Sequence, residues 1–165
     1  MEFEDYINLF QKLPIQIDKK VLSKKKLKIA IGEVLNSIFL KLYKISWTNS
    51  AENPLTAETR IFFSIWVNEI TLQEKKIYYN IHALKLRKLN GYNIESRKFA
   101  NSFREKFKNY SHKWENVKTD FGPLTLMEGW VELENDKVEE KILQLANNFL
   151  EIENLIDTTL VEFKK

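Results

Sequence analysis

A carboxylate and a lysine stand two apart in Glu74-Lys75-Lys76, beside strand-like sequence. That spacing is half of what a metal-dependent nuclease uses. Carboxylates hold a divalent cation, and a lysine positions or deprotonates the attacking water. The other half must come from upstream. Asp5 and Asp18 are the only earlier aspartates, and both fall in N-terminal helical sequence. Glu58, sixteen residues before Glu74, is the best substitute, and alanine precedes it. On the strand proper the residues are Ala83-Leu84-Lys85, a lysine without an acid. Glu74 and Lys76 are therefore expected to be solvated charges closing a hairpin. No catalytic residue and no metal ligand is assigned.

The two histidines, His82 and His112, have no His-x-x-x-His or Glu-x-x-His spacing around them that would hold a metal. His82 sits mid-strand between Ile81 and Ala83, where a hydrogen-bonded structural role is expected. His112 follows a helix and can complement its C-terminal dipole. The four glycines, at 32, 91, 122 and 129, form neither a phosphate-binding loop nor a nucleophile elbow. No cofactor is expected.

Cationic residues offer a different chemistry. Between Lys75 and Lys113 there are 11 basic and 2 acidic residues. Arg97, Asn101, Arg104 and Lys108 step by four, three and four along one helix face, largely opposite Phe99, Phe103 and Phe107. Arg87 and Lys88 end the preceding strand, and Lys98 and Lys113 widen the patch. Phosphate contacts from such residues drive nucleic-acid affinity. Tyr92, Tyr110 and Trp114 are near enough in sequence to stack on bases. The assigned anion-binding set is Arg87, Lys88, Arg97, Lys98, Arg104, Lys108 and Lys113, facing nucleic acid or an acidic protein.

The elements that must position these residues follow from periodicity. Residues 3–12 read as a short helix stopped by Pro14. A second helix, capped by Asp18 or Ser23, is expected to carry Leu27, Ile31, Val34, Leu35, Ile38 and Leu42 as its apolar stripe. A short strand is possible near Ile45–Trp47. "TRIFFSIWVNEIT" is apolar on both faces, a central strand, and "KIYYNIHALKLRKL" follows it through a short hairpin loop. Glu95 to Tyr110 is a helix. "KWENVKTDF" and "LTLMEGWVEL" read as two strands around Gly122-Pro123. Asp136 begins a long helix to about Phe163, with a seam at Val138, Ile142, Leu145, Phe149, Ile152, Ile156 and Leu160.

The expectation is one α+β domain, 1–165: a helical part over 1–44, an antiparallel-rich sheet of about four or five strands with one inserted helix over 45–134, and a long helix over 136–163. The element order loosely resembles that of restriction-endonuclease-like nucleases, with Glu33 in a preceding helix. That resemblance implies the rival function, a metal-dependent nuclease using Glu58, Glu74 and Lys76. A third reading is an interaction module that forms a homodimer through the last helix.

The whole chain narrows the classes further. It has 165 residues, no cysteine and 44% hydrophobic residues, a globular composition without thiol chemistry or disulfides. The absence of cysteine fits the cytoplasm. No secretory leader and no membrane span is expected. The net charge of +3 conceals an asymmetry. Residues 1–113 carry 21 Lys/Arg against 11 Asp/Glu, and residues 114–165 carry 5 against 12. An anionic partner for the first part follows. The Lys-, Asn- and Ile-rich composition suggests a bacterial or phage source, with a defence role as the context. The preferred function is a non-catalytic binding protein.

Overall fold

The computed structural model describes residues 1–165. Its centre is a five-stranded sheet in the order β1-β2-β3-β4-β5, every neighbouring pair antiparallel. The strands are β1 (Lys28–Val34), β2 (Ser37–Tyr43), β3 (Arg60–Val67), β4 (Lys76–Leu84) and β5 (Thr125–Glu132). The helices are α1 (Phe3–Lys12), α2 (Lys19–Lys24), α3 (Glu69–Gln73), α4 (Ser96–Phe107) and α5 (Val138–Val161). The expected α+β class, the antiparallel sheet, the N-terminal helices and the long last helix are all present. No helix is long and apolar enough to cross a membrane.

Alternation along each strand divides its side chains between two faces. Leu40 and Leu42 of β2, Ile61, Phe63 and Ile65 of β3, and Ile77, Tyr79 and Ile81 of β4 are fully buried against the helices. The α5 seam is likewise buried from Val138 to Leu160, and Phe149 stacks on Phe63 with ring centroids 4.4 Å apart. Phe99, Phe103 and Phe107 of α4 complete this layer. The apolar stripe of α5 is therefore used inside the chain. Gly129 of β5 is fixed by packing: a Cβ there would lie 2.3 Å from the Tyr79 hydroxyl, which donates to the Glu115 carbonyl at 2.6 Å.

Three expectations are corrected. The first is the helical part over 1–44. Helix α2 ends at Lys24, and residues 28–43 form the β1–β2 hairpin. The stripe at 27, 31, 34, 35, 38 and 42 coincides with helical spacing. Yet Ile29 and Ile31, then Ile38, Leu40 and Leu42, alternate as β-branched and apolar residues do in a strand. Leu35 and Asn36 form the two-residue turn, both with positive φ (49° and 64°). Hairpin turns of this kind usually announce themselves as Asn-Gly or Asp-Gly; Leu-Asn carries no such signal. The second correction is "KWENVKTDF", which forms no strand; only an isolated bridge joins Lys118 to Glu128. The third is Ile45–Trp47, a single 3-10 turn. Between β3 and β4 the short helix α3 replaces a plain loop. Its Asn68 N-cap and Thr71 form a reciprocal capping pair.

Candidate anion-binding sites

The residues singled out as nuclease candidates do not come together. Glu74 is the C-cap of α3, beyond the end of β3, whereas Glu58 precedes the start of β3. A strand of eight residues separates them by roughly 25 Å. Glu58 accepts from Lys85 at 2.8 Å and from Lys88 at 2.9 Å. The hydrogen bonds from Lys85 and Lys88 lower its pKa to about 2. Lys76 lies over the Trp130 ring, 4.3 Å from its centroid. Glu33 is on β1, not on a helix. No group of three or more His, Asp or Glu side chains is arranged to hold a metal ion.

The outer basic patch is dispersed. Lys88 pairs with Glu58, Lys98 with Glu95 at 3.4 Å, Lys108 with Glu105 at 2.8 Å and Lys113 with Glu151 at 3.3 Å. These exposed pairs contribute little, about 0–1 kcal/mol each, and compensate charge locally. Arg87 and Arg97 form no ion pair and line a cleft with Lys98, Asn93 and Phe163. Trp114 is buried among Phe63, Tyr79 and Phe107, so it offers no base a stacking surface. His112 is exposed in a 3-10 turn.

Arg104 departs furthest from its expected role. Its guanidinium donates to the carbonyls of Leu126 (3.1 Å), Phe121 (3.0 Å), Gly122 (3.0 Å) and Thr125 (2.9 Å). It gathers the turn that leads into β5 and ties it to α4. Each carbonyl would otherwise need another donor, and charged hydrogen bonds are the stronger kind. Arg104→Ala is expected to cost about 3 kcal/mol in urea denaturation, with Arg104→Lys only partly restoring it, because one ammonium cannot reproduce the planar fork.

A second cationic site lies on the sheet face away from the helices, where the sequence reading placed nothing. Registry puts Lys41 (β2), Ser64 (β3), Asn80 (β4) and Glu128 (β5) in one row across four strands. Phe39, Trp66, Tyr78 and Trp130 form the row on one side, and Phe62 and His82 stand on the other. The 54–56 turn, through Leu55 and Thr56, and the β1–β2 turn, through Val34 and Leu35, wall a cavity of about 490 Å³ over this floor. Leu35 at its lip is exposed in the left-handed region, an uncommon place for leucine.

The charges in this cavity are unbalanced. Lys41 is only 9% exposed, and its Nζ lies 4.4 Å from the centroids of both Phe39 and Phe62. It has neither a carboxylate partner nor a hydrogen bond. Burial, then the nearby Arg60, lowers its pKa to about 8. Arg60 lies 5.6 Å from the Phe62 centroid, donates to the Ala57 carbonyl, and keeps its Nε buried and unpartnered. The His82 ring, 5.4 Å from Phe62, has its pKa lowered by burial, then by Lys41 and Arg60. The Asn80 amide donates to Glu128 at 3.2 Å. A carboxylate can only accept, so the amide nitrogen must face it. That leaves Asn80 Oδ1 as a buried acceptor without a donor.

The signal for this site was present in Arg60-x-Phe62-x-Ser64-x-Trp66 and Tyr78-x-Asn80-x-His82, polar and aromatic residues alternating on the second face of two core strands. The helix-like spacing of the apolar residues in β2 masks the strand that brings Phe39 and Lys41 to this cluster. Comparison with known protein families, curated proteins and solved structures finds no match.

Proposed function

We propose that the chain is a non-catalytic binding protein that holds nucleic acid against the open face of its sheet. The observation that carries this reading is the pair Lys41 and Arg60, two cations without carboxylate partners inside an aromatic cavity. An uncompensated charge is costly where it is buried, as at Lys41, and one kept there beside the half-buried Arg60 gains its use when an anion arrives. Trp66, Tyr78 and Trp130 continue from the cavity across the same face, half-buried and beside Lys76. Cations interleaved with aromatic platforms suit single strands, whose phosphates and base faces are both accessible. The outer residues Arg87 and Arg97 are free to add long-range attraction, while Lys88, Lys98, Lys108 and Lys113 already sit beside glutamates.

The test is fluorescence anisotropy with labelled single-stranded DNA and RNA across a salt series. Binding is expected to weaken steeply as salt rises, by counterion release. Trp66→Ala is expected to weaken it by about tenfold, the loss of one stacking platform worth about 1–3 kcal/mol. Replacing Lys98 and Lys108 together by glutamine should change affinity far less. No binding at low salt, or equal effects of the two sets of changes, removes this reading.

A further inference from the structure

The positive groups in the cavity are concentrated around one ring. Lys41 Nζ, the Arg60 guanidinium and the His82 imidazole all approach Phe62, at 4.4, 5.6 and 5.4 Å from its centroid. All three also line the one cavity, so an anion that enters it meets their combined positive potential. Near pH 7 Lys41 and Arg60 carry charge, and burial keeps His82 a neutral donor. An internal phosphodiester brings one negative charge, which leaves one cation unmatched. A phosphate monoester brings about 1.5–2 negative charges and three acceptor oxygens, which matches the pair.

The opposite end of the cavity has the opposite character. Glu128 is three strands from Lys41, about 14 Å across the sheet. It is the one acid lining the cavity, and it repels phosphate from that end. Beside it, Asn80 is only 3% exposed and presents the unpartnered Oδ1. Both groups accept hydrogen bonds, so what lies there must donate them, as sugar hydroxyls and base N–H groups do. The Trp66 ring flanks the path between the two ends. A volume of about 490 Å³ is in the range of small-ligand pockets. It leaves room for one nucleotide.

We infer that the cavity recognises a strand end: it takes a terminal nucleotide bearing a phosphate monoester, with the phosphate at Lys41 and Arg60 and the nucleoside at Asn80 and Glu128. This rests on the nucleic-acid reading above and adds to it a preference for phosphorylated ends.

Oligonucleotides of one sequence, ending in a 5′-phosphate, a 3′-phosphate or hydroxyls at both ends, separate the two ideas. Anisotropy is expected to show at least one phosphorylated form binding about tenfold or more tighter than the hydroxyl form, the worth of one added charged hydrogen bond. Lys41→Met and, separately, Arg60→Met should abolish that difference, with circular dichroism showing each variant folded. Thymidine monophosphate and inorganic phosphate, as competitors, should displace the phosphorylated strand only at far higher concentration. Equal affinity for phosphorylated and hydroxyl ends, with Lys41→Met still weakening both, overturns end recognition and leaves nucleic-acid binding standing. Displacement by thymidine monophosphate at concentrations equal to the strand's own makes the ligand a free nucleotide and also overturns it. The same result with inorganic phosphate reduces the site to a simple anion site, again overturning it. Failure of every oligonucleotide to bind removes the underlying reading and this inference together.

Discussion

Lys41→Met is expected to make the protein more stable and to remove its preference for phosphorylated strand ends. A lysine whose pKa falls from 10.5 to about 8 is disfavoured in its charged form, by about 3 kcal/mol at about 1.4 kcal/mol per unit. The two aromatic rings return part of this, about 0.5–1 kcal/mol each. Methionine keeps a flexible chain between Phe39 and Phe62 without the charge, so a net gain of about 1–2 kcal/mol follows. The pH dependence carries the sign. Between pH 8 and 10.5 the unfolded chain retains the Lys41 proton while the folded chain releases it, so wild-type stability gains with rising pH there. Below pH 8 both states are protonated and the full penalty is present. Urea denaturation at pH 7 should therefore show the variant ahead, with the gap narrowing by pH 10. Equal stability of the two proteins at both values would mean that Lys41 is already compensated. Such a trade of stability against binding is expected where a charge is kept for a ligand.

Much of the scaffold was legible because its signals were redundant. The long seam from Val138 to Leu160 steps by three and four, which a strand cannot keep on one face, and Phe99, Phe103 and Phe107 have Ala100 beside them on a helical face; β3 was apolar on both faces and is central in the sheet. The β1–β2 hairpin was not legible, because its apolar residues satisfy both periods and its Leu35-Asn36 turn lacks glycine. That one misreading also concealed the cavity. Lys41 gains meaning only when β2 lies beside β3 and its ammonium meets Phe62 and Arg60. Arg104 was misassigned for another reason. A helical stripe places an arginine on a surface, but four backbone carbonyls from residues 121–126 converge on it only in three dimensions.

Glu153→Ala is expected to be the most destabilising of the charge changes, by about 3–5 kcal/mol. Glu153 is on the buried side of α5, 4% exposed, between Lys44 at 2.7 Å and Lys25 at 3.1 Å. Lys44, itself 9% exposed, also binds Asp157 at 2.5 Å, and Asp157 accepts from the indole of the fully buried Trp47 at 2.7 Å. Burial alone would lower the pKa of Lys44; the hydrogen bonds and charges of Asp157 and Glu153 more than reverse this and raise it. Its contribution is therefore present at neutral pH and is lost only as pH rises through that elevated value. Removing Glu153 leaves Lys44 with a single, half-exposed partner and opens a gap beneath α5. The loss comes from leaving the buried Lys44 charge only partly compensated, not from the pair's own worth. The double change Lys44→Met with Glu153→Leu should accordingly recover most of the stability that Glu153→Ala removes, since buried pairs are often matched by apolar residues of similar volume. Chemical denaturation of the two variants decides it: if the double change is as unstable as the single one, the network contributes beyond its own charges, through Asp157 and the orientation of Trp47.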